Sequence, residues 1–222
     1  MAVIHTDTVA VENVSYGLAD ALYAVASKYT NRFSHEAGSN IITFDGCQVY
    51  FDNRNIGVKN GDEIAYNIRT AYDGCYYSPI SVITLFTNNV FLFYFHWTWS
   101  SDNCACVFMF ISKGSNKLLG VTTNNSYRDV ENNMTYMDLV SCNDTTYKPQ
   151  RLFYTEASQY GYELIPSNVL IEDKVIFSNS NGDYFIIDDL KSCSYMPLHG
   201  TYTINGKNYW AIGYYTLIQV ET

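Results

Sequence analysis

The chain has 222 residues, enough to bury a real hydrophobic core, and it is 47% hydrophobic but only 16% charged, which excludes a disordered chain. Thirteen Gly and four Pro exclude collagen-like and low-complexity classes. With 22 acidic against 13 basic residues the net charge is −9, and no basic cluster interrupts it, so neither nucleic acid nor an anionic membrane surface is expected as a partner.

The N-terminal stretch MAVIHTDTVAVEN has no basic region and no long apolar region. It reads as an extended arm over residues 1 to 10, with no signal peptide. From Val11 to Phe33 the spacing turns helical. Val11, Val14, Leu18, Leu22, Val25, Tyr29 and Phe33 fall three or four apart and form one apolar stripe, and Ala19, Ala21, Ala24 and Ala26 favour helix. Asn31 to Asn40, with Gly38, reads as the exit loop.

Beyond residue 40 the pattern is β. The chain carries 21 Tyr and 21 Asn, and this pair of excesses fits many strands joined by many tight turns. Ile41 to Phe51 alternates as a strand and Asn53 to Asp62 as a turn-rich loop. Ile64 to Thr70 alternates as a further strand, with a short helix capped by Asp62 as the alternative. Ser81 to Thr87 and Val90 to Trp99 flank Asn88-Asn89, so a hairpin with positive φ at both Asn is expected. Cys104 to Ser112 and Leu118 to Thr123 complete a four-strand meander. Met134 to Val140 reads as a strand, and Pro149 makes Thr145 to Tyr154 ambiguous. Val175 to Ser178 and Tyr184 to Asp188 form a second hairpin around Asn179 to Asp183. The sharpest signal is Asn205-Gly206 between Thr201–Ile204 and Lys207–Ile212, followed by a bend at Gly213 and a final strand, Tyr214 to Val220.

This pattern gives about twelve strands with no intervening helices, which argues against a parallel α/β sheet. The expected fold is mainly β: an antiparallel β-sandwich or partly closed barrel with one N-terminal amphipathic helix. Residues 1–40 would form the arm and helix and 41–222 the β-sandwich domain, with a sub-boundary near 145. Val90 to Trp99 is apolar on both faces. Phe91, Phe93, Phe95, Trp97 and Trp99 share one face, and Val90, Leu92, Tyr94, His96 and Thr98 the other, so both need cover. The N-terminal helix is the first choice for one of them, ahead of a second sheet or a neighbouring subunit. The longest apolar run is about half a membrane span, so no transmembrane segment is expected.

The motifs that carry chemistry are missing. No G-x-S-x-G, no phosphate loop, no dinucleotide fingerprint and no H-E-x-x-H occurs, so no catalytic, cofactor-binding or metal-ligating residue is assigned. Six cysteines at Cys47, Cys75, Cys104, Cys106, Cys142 and Cys193, with no C-x-x-C, read as buried free thiols. Cys193 and His199 lie close enough for a nucleophile and base, but a buried Cys and a turn His is the plainer reading. Asn179 to Asp183 offers oxygens to calcium, yet it lacks a closing bidentate Glu and suits a hairpin turn unaided. Four N-x-S/T sequons, at Asn13, Asn124, Asn133 and Asn143, are read as chance in an Asn-rich chain. Trp97, Trp99 and Trp210 are the aromatic candidates for contact with a sugar, Trp99 foremost because it ends a strand before Ser100-Ser101-Asp102-Asn103.

The acidic, Tyr- and Asn-rich composition, the single helix leading into an all-β body, and the ending GTYTINGKNYWAIGYYTLIQVET together resemble structural proteins of tailed bacteriophages. The resemblance implies a non-enzymatic virion component of the head-decoration, neck or tail type. It would be made in the host bacterial cytoplasm and would assemble with other virion proteins and with itself. Residues 1 to 33 would then be the assembly handle, with Val14, Leu18, Leu22 and Val25 as contact residues alongside Trp97, Trp99 and Trp210. Two other readings stay open. One is a carbohydrate- or receptor-binding β-sandwich module for a host glycan, and the other a hydrolase with dispersed carboxylates.

Overall fold

A computed structural model describes residues 1–11, 16–51, 55–60, 63–64, 68–69, 80–99, 102–124, 139–141, 145–149, 171–193, 200–213 and 216–221. Alternation and turn chemistry set its elements. In chain order these are β1 (Val3–Val9), α1 (Tyr16–Ala26), β2 (Phe33–His35), β3 (Ile41–Phe44), β4 (Cys47–Phe51), β5 (Asn55–Asn60), β6 (Glu63–Ile64) and β7 (Ile68–Arg69). The middle of the chain gives β8 (Ile80–Phe86), β9 (Val90–Trp99), β10 (Asp102–Lys113), β11 (Asn116–Asn124), β12 (Leu139–Ser141) and β13 (Thr146–Pro149). The last third gives β14 (Ile171–Glu172), β15 (Val175–Ser178), β16 (Tyr184–Ile187), β17 (Leu190–Cys193), β18 (Gly200–Ile204), β19 (Lys207–Gly213) and β20 (Thr216–Gln219).

The strands form three antiparallel sheets. A nine-stranded central sheet runs β1-β8-β9-β10-β11-β12-β13-β15-β16; a C-terminal sheet runs β14-β17-β20-β19-β18; an N-terminal sheet runs β2-β3-β4-β5-β6, with β7 also paired to β5. The fold is mainly β with one helix, and its antiparallel sheets include a curled half-barrel, consistent with a β-sandwich or partly closed barrel. The sheet runs through residue 145 without a break, because β12 pairs with β13 at Leu139↔Tyr147 and Val140↔Thr146.

The central hairpin β9–β10 keeps register over ten residue pairs, from Trp99↔Asp102 to Val90↔Ile111. Successive side chains therefore point to opposite faces. On one face Phe91, Phe93, Phe95, Trp97, Phe108 and Phe110 are buried with Leu18, Leu22 and Val25 of α1 and with Phe33, Phe44, Val49 and Phe51 of the N-terminal sheet. On the other, Leu92, Val107, Met109 and Ile111 are buried with Leu190, Trp210, Ile212 and Ile218. The aromatic face is covered by the N-terminal sheet, whose Phe33 and Phe44 rings meet Phe91; the helix, expected as the first cover, shares the same core cluster but lies nearest β2, β1 and β3.

Several elements depart from the sequence reading. The described helix is Tyr16–Ala26, with 12–15 outside the described residues, and it ends short of Phe33. Beyond Ala26 the backbone tightens: Lys28 N–H donates to the Val25 carbonyl at 3.2 Å and Tyr29 N–H to that of Ala26 at 3.0 Å, each only three residues back. Phe33 then joins β2 opposite Phe44 instead of extending the helical stripe. Ile41 to Phe51 is not one strand but the hairpin β3–β4, reversed at Asp45 (φ 47°) and Gly46 (φ 83°), so the Asp-Gly pair is the turn that alternation hid. Asn55–Asn60, expected inside a loop, is strand β5.

The β8–β9 hairpin forms as expected, although neither Asn88 nor Asn89 has positive φ. The Thr87 hydroxyl instead accepts the Asn89 N–H at 3.3 Å and the Val90 N–H at 3.0 Å, holding the turn from its own side chain. The Asn205-Gly206 turn has φ 51° and 73°, as its sequence demands. A register shift between Ala211 and Gly213 supplies the bend expected at Gly213. The N-terminal segment is extended, but it is not a free arm. It pairs with β8 from Val3↔Phe86 to Val9↔Ile80, and Ala2 bridges Val220, so the first strand joins the central sheet to the C-terminal one.

Candidate functional site

The side chains picked out from the sequence as contact residues are mostly interior. Leu18 (1% exposed), Leu22 and Val25 (both 0%) sit in the aromatic core, Trp97 keeps 3% and Trp210 only 7% of its surface. Their apolar spacing was a burial signal, because a stripe matching the 3.6-residue period fits equally well against the chain's own sheet. Val14 and the Trp99 side chain lie outside the described residues. The indole Nε1 atoms of Trp97 and Trp210 and the Thr84 Oγ1 are buried without a hydrogen-bond partner among the described residues. These two tryptophan rings are packing elements and cannot serve as open platforms.

The cysteines also depart from expectation. Cys47 on β4 is disulfide-bonded, not a free thiol; its partner lies outside the described side chains. Cys193 keeps a free thiol, and burial pushes its pKa up to about 12. It is therefore protonated at neutral pH and a poor nucleophile. His199, its suggested base, lies outside the described residues. Among the described residues no three His, Cys, Asp or Glu side chains converge on a metal-binding point. In the Asn179–Asp183 loop, Asn179 Oδ1 accepts the N–H groups of Asn181 (3.0 Å) and Asp183 (2.9 Å), and Asn179 Nδ2 donates to Asp183 Oδ2. Asn179 Oδ1 and Asp183 Oδ2 are thus engaged in closing the hairpin. Among the described residues, no helix is long and apolar enough to cross a membrane.

Three polar clasps ring the aromatic core. Arg32 forks onto both Asp45 carboxylate oxygens, donates to the Asn88 carbonyl at 2.8 Å, and lies 4.7 Å over the Phe91 ring. The Arg32 guanidinium holds the Asp45 carboxyl below its ordinary pKa. Buried His35 places Nδ1 2.7 Å from the Ile41 carbonyl and Nε2 2.5 Å from Asp20. A carbonyl can only accept, so Nδ1 is the nitrogen that donates to Ile41, and Nε2 faces the Asp20 carboxyl. Both ring nitrogens are occupied, which leaves neither to act as a base. At β1, burial works to raise the Asp7 pKa, but hydrogen bonds from Lys28 (2.6 Å) and Tyr29 (2.9 Å) outweigh it and hold it low. His5 stacks on Tyr29 with centroids 4.0 Å apart.

The two ends of the central sheet differ. At β16 the Lys113 ammonium meets the Ile186 carbonyl and Asp188, and Asn89 Nδ2 donates to Asp189 at 2.7 Å, so neighbouring side chains tie that end down. At the other end β1 carries Val3, Ile4, Thr6, Thr8 and Val9, all β-branched, with no Lys, no Pro and no bulge. Among the described residues β8 is its only partner strand from Val3 to Val9. Its one charged side chain, Asp7, is paired with Lys28, and beyond β1 no further strand lies among the described residues, so its backbone edge can accept another strand. Val3 and Ile4 are adjacent and the next four residues are polar, so no apolar alternation marks β1 and the segment reads as an extended arm. No protein family, curated protein or solved structure matches the chain.

Proposed function

We propose that this chain is a structural component of a tailed-phage virion, of the head-decoration, neck or tail type, working through protein–protein contacts. The observation that supports the reading is the open β1 edge. The long apolar faces of the central sheet are covered from within the chain, and among the described residues β1 ends the sheet with a free backbone edge. Main-chain hydrogen bonds of an added strand give affinity without any reacting group. The assembly handle is accordingly placed at β1 itself, not at the buried helix stripe. The Cys47 disulfide fits a protein that persists outside a reducing cytoplasm.

Quantitative mass spectrometry of purified particles tests the proposal. The chain is expected at a fixed, multi-copy ratio to the major capsid protein. Its absence from intact particles, while it is abundant in the lysate, would exclude a virion role.

A further inference from the structure

We propose that the outer edge of β1 pairs antiparallel with β1 of a second copy of this chain, centred on Thr6, so that two nine-stranded sheets become one continuous sheet. This deepens the assembly reading by naming the surface and the partner.

The strand is self-complementary. Its sequence is Val-Ile-His-Thr-Asp-Thr-Val over Val3–Val9. Turned end for end about Thr6, it sets Val3 opposite Val9, Ile4 opposite Thr8, His5 opposite Asp7, and Thr6 opposite its own copy. Those are the pairings that stabilise antiparallel strands: β-branched against β-branched, threonine against threonine, and acid against a basic ring. A slip of one residue would put His5 opposite Thr6 and move every side chain to the other face, so the register is specified.

Exposure supports the same place. Among the described residues the exposed large hydrophobics are Met1 (73%), Val3 (43%), Tyr29 (36%) and Tyr184 (68%). Three of these four belong to the β1 end, because Tyr29 stacks on His5 and bonds Asp7. Charge at this end is already balanced, since Lys28 neutralises Asp7 at 2.6 Å. Two copies would therefore meet without like-charge repulsion. A two-fold contact of this kind is isologous and closes at a dimer, leaving the β16 ends, secured by Lys113, pointing outward.

Sedimentation velocity on the full chain, over a hundredfold concentration range, gives the first readout. A dimer of twice the 25.3 kDa chain mass is expected, and a monomer at the highest concentration would overturn the proposal. Thr6→Lys sets two ammonium groups face to face at the two-fold axis. It should shift the midpoint of dimerisation at least tenfold upward, with the circular dichroism spectrum unchanged and with the same Tm as wild type at concentrations where both are monomeric. Register is read with a short bis-maleimide. Thr6→Cys should cross-link in high yield. Thr8→Cys should cross-link at least tenfold less, because its copy stands four residues further along. Equal cross-linking at both positions, or a dimer indifferent to Thr6→Lys, would place the contact elsewhere and overturn the proposal. None of these outcomes bears on whether the chain is found in particles, so the two tests fail independently.

Discussion

The two faces of the central sheet are both buried, but they are filled with different chemistry. The face under the N-terminal sheet is aromatic. The Phe33 ring meets Phe44, Phe91, Phe93 and Phe110 with centroids 4.9 to 5.8 Å apart, three of the four edge-on. The face under the C-terminal sheet is mainly aliphatic, with Leu92, Val107, Met109 and Ile111 against Leu190, Ile212 and Ile218. Edge-to-face rings have preferred orientations, so they fix position as well as exclude water, whereas aliphatic chains mostly exclude water. The aromatic face joins the elements of greatest variety, a helix and a small sheet, and there the extra geometric constraint decides how they dock. The polar clasps at Arg32, His35 and Asp7 stand at the margin of this face.

If that distinction is real, truncation and reshaping should affect the faces differently. Phe33→Ala removes four ring contacts and is expected to cost about 3–5 kcal/mol, the largest effect of any change considered, measured by urea denaturation. Volume-conserving changes sharpen the contrast. Leu92→Met on the aliphatic face should cost under about 1.5 kcal/mol. Phe93→Leu loses ring pairs with Phe33, Phe86 and Phe110, each worth about 0.5–1.5 kcal/mol beyond burial, and should cost more. Equal costs would mean that the rings act only as bulk.

The clasps extend the comparison at smaller magnitude. Arg32 and Asp45 are 29% and 18% exposed, and their forked bond joins β2's approach to the β3–β4 turn. Lys113 and Asp188, at the margin of the other face, are 36% and 75% exposed. Arg32→Ala should cost about 1–2 kcal/mol, after allowance for partial solvent screening, and Lys113→Ala less than about 1 kcal/mol. The pH dependence has a definite sign. Asp45 has its pKa lowered by Arg32 from an ordinary value of 3.8, so the folded state favours its charged form. That contribution is full above the ordinary value and is lost as pH falls through the lowered one. The stability difference between wild type and Asp45→Asn should therefore shrink in strong acid. Asn keeps the positive φ that the turn needs, so the comparison isolates charge.

What the sequence reveals and conceals follows the same division. Local chemistry was legible: Asn205-Gly206 sits in its turn, the meander from β8 to β11 is in place, and the two apolar faces of Val90 to Trp99 are both covered. The Asp45-Gly46 turn was equally local but was masked by the unbroken alternation around it. Long-range choices were not legible. Nothing in Phe33 tells whether it ends a helix or opens a strand, because both place it in the same core. Leu18, Leu22 and Val25 carry a pattern that a partner protein or the chain's own sheet would satisfy alike, and only the tertiary structure shows which did. The β1 edge required knowing that β8 lies beside it and that no other described strand lies beyond.

The smallest effects concern two groups that burial holds in their neutral forms on the C-terminal side. Tyr94, which faces Trp210 at 6.0 Å, has its pKa pushed up to about 12 by burial, against 10.0 for an ordinary phenol. A raised pKa means that the folded state keeps its proton longer than the unfolded one. Its contribution is intact below pH 10 and falls as pH rises from there towards about 12. Difference absorbance titration of wild type against Tyr94→Phe should show one phenolate appearing near the upper value. The variant should also lose less stability across that interval. The Cys193 thiol, also raised by burial to about 12, should resist iodoacetamide at pH 8 in the folded protein and react once urea unfolds it. Alkylation of folded protein at the rate of an exposed thiol would mean that the C-terminal sheet opens readily. The aliphatic face would then be the less firmly closed side of the molecule, as its sparser orienting ring contacts would lead one to expect.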